Sequence, residues 1–242
     1  MTKNAKVAAH GEPDYSLSPD GERFPLPRPD EYAPEHRRVE RLTKKARAEG
    51  KEIVVVMGVG FVGVVMAAIV ADTTDADGKP TKLVIGCQRP STRSYWKIPL
   101  LNRGISPVKA EDPEVDPMIA RCVLEKRTLT ATHAADCLTL ADVVVVDVQC
   151  DYAKQDLGNM RTGETDMAAL EATLRTIGER IPEECLVLIE TTVAPGTTEF
   201  IAWPILKKAF AARGLAGSPV LALSVARVMP GVVAQRQRVP NT

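Results

Sequence analysis

No charge of either sign predominates in this chain: 31 Lys and Arg stand against 31 Asp and Glu, for a formal net charge of zero. A nucleic-acid binder normally carries a basic excess, so the balance argues against nucleic acid as a partner. Cysteine pairs are missing too. None of Cys87, Cys122, Cys137, Cys150 and Cys185 forms a C-x-x-C unit, and their spacing suits neither a zinc site nor a disulfide framework. No metal is expected, and the thiols are expected to be reduced in a cytoplasmic protein. Residues 1–9 hold two lysines with no apolar run behind them, so no secretory signal is expected. No internal repeat is evident.

One long apolar run is present. Residues 53–71 (IVVVMGVGFVGVVMAAIVA) are uncharged and long enough to be read as a spanning helix by hydropathy. The β-branched start and the three glycines favour a buried strand, a glycine turn and a buried helix, so no membrane association is expected.

Hydrophobic residues make up 45% of the 242, enough for one large domain with a real core. Residues 1–30, rich in Pro, Gly, Asp and Ser, read as a flexible extension. Residues 31–50 read as a helix preceding the domain: Tyr32, Val39, Leu42 and Ala46 share one face, and Arg37, Arg38, Arg41, Lys44 and Lys45 form the solvated remainder. From residue 51 strands and helices alternate. Strands are expected at 52–57, 82–87, 129–132, 142–148, 186–190 and 220–223. Helices are expected at 61–72, from Asp112, through Met167, Leu170, Leu174, Ile177 and Ile181, and at 198–213. Strands with continuous apolar residues, such as the four valines after Asp142, are buried on both faces. The expected fold is therefore α/β: a Rossmann-type doubly wound parallel sheet, a single domain with an N-terminal helical extension.

Three stretches carry chemistry. The first is Gly58-Val59-Gly60-Phe61-Val62-Gly63, between an expected strand and an expected helix. Gly58 would allow the tight turn, Gly60 would let a pyrophosphate approach the backbone, and Gly63 would let the helix pack closely. The phosphates would meet free N–H groups at the helix N-terminus. A packing turn, or a nucleoside cofactor such as S-adenosylmethionine in a methyltransferase-like domain, is the alternative. The second stretch ends the second strand. An acid usually holds the ribose hydroxyls there, but this chain offers Gln88, Arg89 and Arg93. Gln88 can bond a ribose, an arginine can meet a 2′-phosphate, and both arginines also suit an ordinary surface. The third is Glu190-Thr191-Thr192-Val193-Ala194-Pro195-Gly196-Thr197-Thr198-Glu199, at a strand end where open α/β sheets place ligands. Its threonines suit a bound water or an amide, and equally a turn and a helix cap by Thr197 or Thr198.

Together with Leu101-Asn102-Arg103-Gly104, Glu111-Asp112-Pro113, the strand 141–146 and Arg227-Val228-Met229-Pro230-Gly231, these stretches resemble the N-terminal domain of the UDP-glucose/GDP-mannose dehydrogenase family. The likeness covers residues 51–231, and 232–242 do not resemble the family. It implies an NAD cofactor, with NADP left open, cradled by residues 58–63 with Gln88, Arg89 and Thr191 nearby. It implies Thr192 as the catalytic-site threonine near the nicotinamide and the catalytic water. The family oxidises the primary alcohol of an NDP-sugar to a carboxylate through a cysteine-bound thiohemiacetal. Here Ala226 stands where the family has an assisting glutamate, and no cysteine lies where the family nucleophile would. The resemblance thus implies a truncated, catalytically incomplete enzyme that meets an NDP-sugar only if the missing domain is supplied. A non-catalytic module and one piece of a split enzyme are the alternatives, and the oligomeric state is left open.

Overall fold

Ile53, Val54, Val55 and Val56 are all buried, yet neighbours along the strand belong to different cores. That alternation is what a strand covered on both faces must show. It explains how an uncharged run from 53 to 71 is absorbed without a lipid phase. The run divides into a strand, a glycine turn and a helix, and among the described residues no helix is long and apolar enough to cross a membrane.

The structure is a computed structural model that describes residues 14–148, 150–153 and 164–224. A hairpin of β1 (Tyr15–Leu17) and β2 (Arg23–Pro25) leads into α1 (Pro29–Ala48). Then come β3 (Glu52–Met57), α2 (Phe61–Asp72), β4 (Lys82–Cys87), α3 (Lys97–Asn102), α4 (Val115–Ala120) and β5 (Leu129–Thr132). They are followed by β6 (Val143–Val146), an antiparallel pair β7 (Asp151–Ala153) and β8 (Glu164–Asp166), α5 (Ala168–Gly178), β9 (Leu186–Ile189), α6 (Trp203–Ala212) and β10 (Val220–Leu223). The main sheet runs β10-β9-β6-β3-β4-β5, all parallel. The chain winds outward from β3 in both directions, so the topological switch lies between the carboxyl ends of β3 and β6, where such sheets bind ligands.

One face of the sheet is covered by α2, α3 and α4, through Val64, Ala68, Ile98, Leu101, Met118 and Ile119. The other is covered by α1, α5 and α6, through Val39, Ala46, Leu174, Ile177, Leu206 and Phe210. The crossover from β5 to β6 holds only a 3₁₀ turn, Ala135–Leu140. α1 lies in the space a full crossover helix would fill and shares a core with Leu138, Ile53 and Ile85. Val39, fully buried, contributes about 1.5–3 kcal/mol. Polar bonds fix the helix at both ends. Arg38 donates to Thr130 Oγ1 at 3.0 Å and to the Ala131 carbonyl at 2.9 Å, while Arg47 donates to the Leu140 carbonyl at 2.9 Å and to Asp142 at 2.7 Å.

These contacts amend three expectations. Arg38 is turned inward, whereas Arg37, Arg41, Lys44 and Lys45 are exposed. Leu42, expected on the packing face, is exposed, and Thr43 is buried in its place with its hydroxyl donating to the Val39 carbonyl. The N-terminal segment, expected to lack packed structure, is folded in its described part. Phe24 packs with Trp96 and Leu100, Ser16 donates to the Thr92 carbonyl at 2.8 Å and accepts the Trp96 N–H at 3.2 Å, and Arg103 grips Glu22. The Pro- and Gly-rich composition reflects turns here, with Gly21 at φ +85° closing the hairpin.

Two helices change pitch. α4 continues as a π-helical turn over Arg121–Glu125, and α6 is preceded by one over Thr198–Ala202. Pro204 has no N–H to return to the carbonyl of Phe200, which accounts for the irregular entry to α6.

Candidate functional site

The glycine loop leaves β3 in a conformation that forbids side chains at two of its three glycines. Gly58 has φ +102°, and a Cβ there would lie 2.1 Å from the Asp147 carbonyl oxygen. A Cβ on Gly63 would lie 2.0 Å from the Gly58 carbonyl oxygen and 2.6 Å from Asp147 Oδ2. Gly60 differs: a Cβ there would meet nothing within 4 Å. Tight packing therefore accounts for Gly58 and Gly63, and an open space stands over Gly60. Gly60 caps α2 with no side-chain hydrogen bond, and the first intrahelical bond is that of the Val64 N–H to its carbonyl at 3.1 Å. The N–H groups of Phe61 and Val62 thus stand at the positive end of the helix dipole without acceptors inside the helix. Val59 points into the sheet, where one of its methyls fills the space over Gly86.

β4 ends beside this loop. Gln88 Oε1 accepts the Val59 N–H at 3.1 Å, Gln88 Nε2 donates to Ser94 Oγ at 3.3 Å, and the Gln88 N–H donates to the Thr132 carbonyl at 3.0 Å. Gln88 thereby ties the glycine loop, the following turn and β5 together. Arg89 and Arg93 are both exposed on that turn.

The third stretch lies at the ends of β9 and β6. Thr191 is buried, its hydroxyl accepting the Val148 N–H at 2.9 Å and lying 3.1 Å from the Val146 carbonyl and 2.9 Å from that of Val148. Its side chain is used to join two strand ends. Thr192, the next residue, is exposed toward the carboxyl edge. Thr197 precedes the π turn, but neither it nor Thr198 makes the expected side-chain cap, and the buried Thr198 hydroxyl has no hydrogen-bond partner. Gly196, at φ +87°, makes the turn expected of it.

Sequence reasoning missed two acids. β6 and β9 pair with Val146 opposite Ile189, which brings the next residues, Asp147 and Glu190, to the same edge. Burial raises the Asp147 carboxyl from 3.8 to about 6; the Gly63 N–H it accepts opposes that rise and the neighbouring Glu190 adds to it. Glu190 is 5% exposed, and its Oε2 has no partner. The only sequence signal was an acid breaking the valine run at the strand's carboxyl end. Among the described residues no cluster of three or more ligating side chains suits a metal. Ala226 and the stretch 227–231 lie outside the described residues, as does the tail 232–242.

A six-stranded doubly wound sheet with a phosphate-sized opening over Gly60 at its switch point defines a dinucleotide-binding domain of the Rossmann class. The family model of the UDP-glucose/GDP-mannose dehydrogenase family, NAD binding domain, matches residues 52–227, and the chain belongs to that family. Its cofactor is NAD. The chain is similar to the UDP-N-acetyl-D-mannosamine dehydrogenase of Pyrococcus horikoshii, 27% identical over 62% of this chain and 30% of that protein. Among solved structures it is similar to the NDP-N-acetyl-D-galactosaminuronic acid dehydrogenase of Methanosarcina mazei, with TM-score 0.67 and 32% identity over 83% of this chain and 39% of the other. It shares its fold with the GDP-mannose dehydrogenase of Pseudomonas aeruginosa, with TM-score 0.59 and 22% identity over 77% and 39% of the two chains. The chain thus spans well under half the length of each of these relatives.

Proposed function

We propose that this chain is the cofactor-holding part of an NAD-dependent enzyme that oxidises the primary alcohol of an NDP-sugar to the acid. The observation that carries the cofactor half is the open space over Gly60 between two glycines jammed against backbone. The loop Gly58, Val59, Gly60, Phe61, Val62 and Gly63 would hold the diphosphate, with the N–H groups of Phe61 and Val62 donating to it. Gln88 and Arg89 would face the adenosine ribose. Thr191 would hold the β6 and β9 ends in register, and Thr192 would present its hydroxyl beside the nicotinamide. The bound dinucleotide supplies the hydride acceptor; the protein's part is to orient it and to screen it from water.

The chain by itself is proposed not to complete the oxidation. A covalent step needs an accessible thiolate. Burial pushes the Cys122 thiol up to about 11 and the Cys185 thiol up to about 12, and Cys137 is raised by its contact with Cys87 and by burial. The sugar half would come from additional protein, on the same chain or another. The proposed setting is the cytoplasm, where free cysteines stay reduced.

Titration calorimetry with NAD tests the reading. The purified chain should bind NAD, and Gly60→Val should abolish binding while leaving the melting temperature unchanged, because its added atoms enter open space. A well-folded chain that gives no heat with NAD would overturn it.

A further inference from the structure

The ribose side of the site departs from what an NAD-only pocket requires. A carboxylate at the end of the second strand selects the 2′-hydroxyl by bonding it and repels a phosphate placed there. Here that position is Gln88, and no Asp or Glu occurs anywhere from 78 to 110. Seven cations do: Lys79, Lys82, Arg89, Arg93, Lys97, Arg103 and Lys109, in a chain whose net charge is zero. Gln88 spends both ends of its amide on protein, Oε1 on Val59 and Nε2 on Ser94. The turn it anchors is closed on itself, with Ser91 and Ser94 hydroxyls 2.7 Å apart and Ser94 Oγ 3.4 Å from the Arg89 carbonyl. It is braced from outside by Ser16, through Thr92 and Trp96. Arg89 and Arg93 rise from this braced turn, and their side chains make no ion pair among the described residues.

We propose that this turn is a 2′-phosphate subsite, formed by Arg89 and Arg93 with the Ser91 and Ser94 hydroxyls, and that the chain binds NADP at least as tightly as NAD. The proposal rests on the cofactor reading above. Two guanidinium groups on a fixed turn match a phosphate dianion, and charge-assisted bonds from arginine are the strong ones. The hydroxyls supply neutral donors between them.

Calorimetric titration of the full chain with NAD and with NADP, and competition by 2′,5′-ADP against 5′-ADP, tests it. NADP should bind as tightly as NAD or more tightly, with 2′,5′-ADP the better competitor. Arg89→Ala and Arg93→Ala should each weaken NADP by about tenfold and NAD by little, since both side chains are exposed and removing one charge-assisted bond has that effect. Raising the salt concentration should weaken NADP more than NAD. NAD binding more tightly than NADP, or both cofactors losing equally in the arginine variants, would overturn the subsite and leave the NAD reading standing. Failure of both cofactors to bind well-folded protein would overturn the two together.

Discussion

Replacing Asp147 by asparagine removes a buried negative charge from behind the glycine loop while keeping an oxygen for the Gly63 N–H. The carboxyl titrates at about 6 in the fold, chiefly through burial. In the unfolded chain it returns to about 3.9. Below about pH 4 both states hold the proton, and Asp147 costs the fold nothing. As pH rises toward 6 the unfolded chain ionises first and the fold loses stability relative to it. Above that range both are ionised and the full penalty applies. At 1.36 kcal/mol per pH unit, a rise from 3.8 to about 6 amounts to about 3 kcal/mol, a large share of the roughly 5–15 kcal/mol that separates folded from unfolded protein. Asp147→Asn should therefore match the parent near pH 4–5 and exceed it by about 2–3 kcal/mol at pH 8. Urea unfolding of both proteins over this range measures the difference, in which unrelated titrations cancel. A stability difference that stays constant with pH would refute the reasoning.

Two further outcomes follow from the packing. Gly63→Ala forces backbone apart at the loop and should cost about 1–3 kcal/mol or more, whereas Gly60→Ala, with nothing near its new methyl, should cost almost nothing; equal melting temperatures for the two variants would contradict this. Asp72 is held by Arg121 at 2.6 and 2.8 Å and by Lys126 at 2.8 Å, and these partners, Arg121 foremost, keep its carboxyl well below the usual range. Its folded pKa is depressed, so its contribution is present above about pH 4 and is lost on acidification. Asp72→Ala should cost about 2–3 kcal/mol at pH 7, less than the roughly 3–5 of a fully buried pair, and should flatten the acid limb of the stability profile. An unchanged acid limb would count against the role assigned to the cluster.

The parallel strands were legible because burial on both faces writes an unbroken β-branched run into the sequence. β3, β4, β5 and β10 have the bounds expected of them, and α2 does too. β6 and β9 stop short of theirs, since Asp147 and Glu190 leave the ladder. The hairpin and α3 were not legible. Three-residue strands carry almost no period, and what holds them is Phe24 against Trp96, a contact 72 residues apart in sequence that no local window contains. In the site, the glycine spacing was readable from local chemistry. The different fates of Thr191 and Thr192 were not, because they depend on which side of the β9 end faces β6. Asp147 and Glu190 become a pair only through the register of two strands distant in sequence.

α1 lies before the stretch that matches the family model, yet it packs in the same core as Ile53, Ile85, Leu138 and Leu174. Its Arg38 bonds a carbonyl 93 residues later in the chain. The segment shared with relatives and the segment that folds are therefore different units. A boundary drawn at Glu52 from homology would pass through the middle of a hydrophobic core, stripping one face of the sheet over the short β5–β6 crossover. In this protein the N-terminal helix is an early-made part that must wait for residues near 130–142 before it has anything to cover.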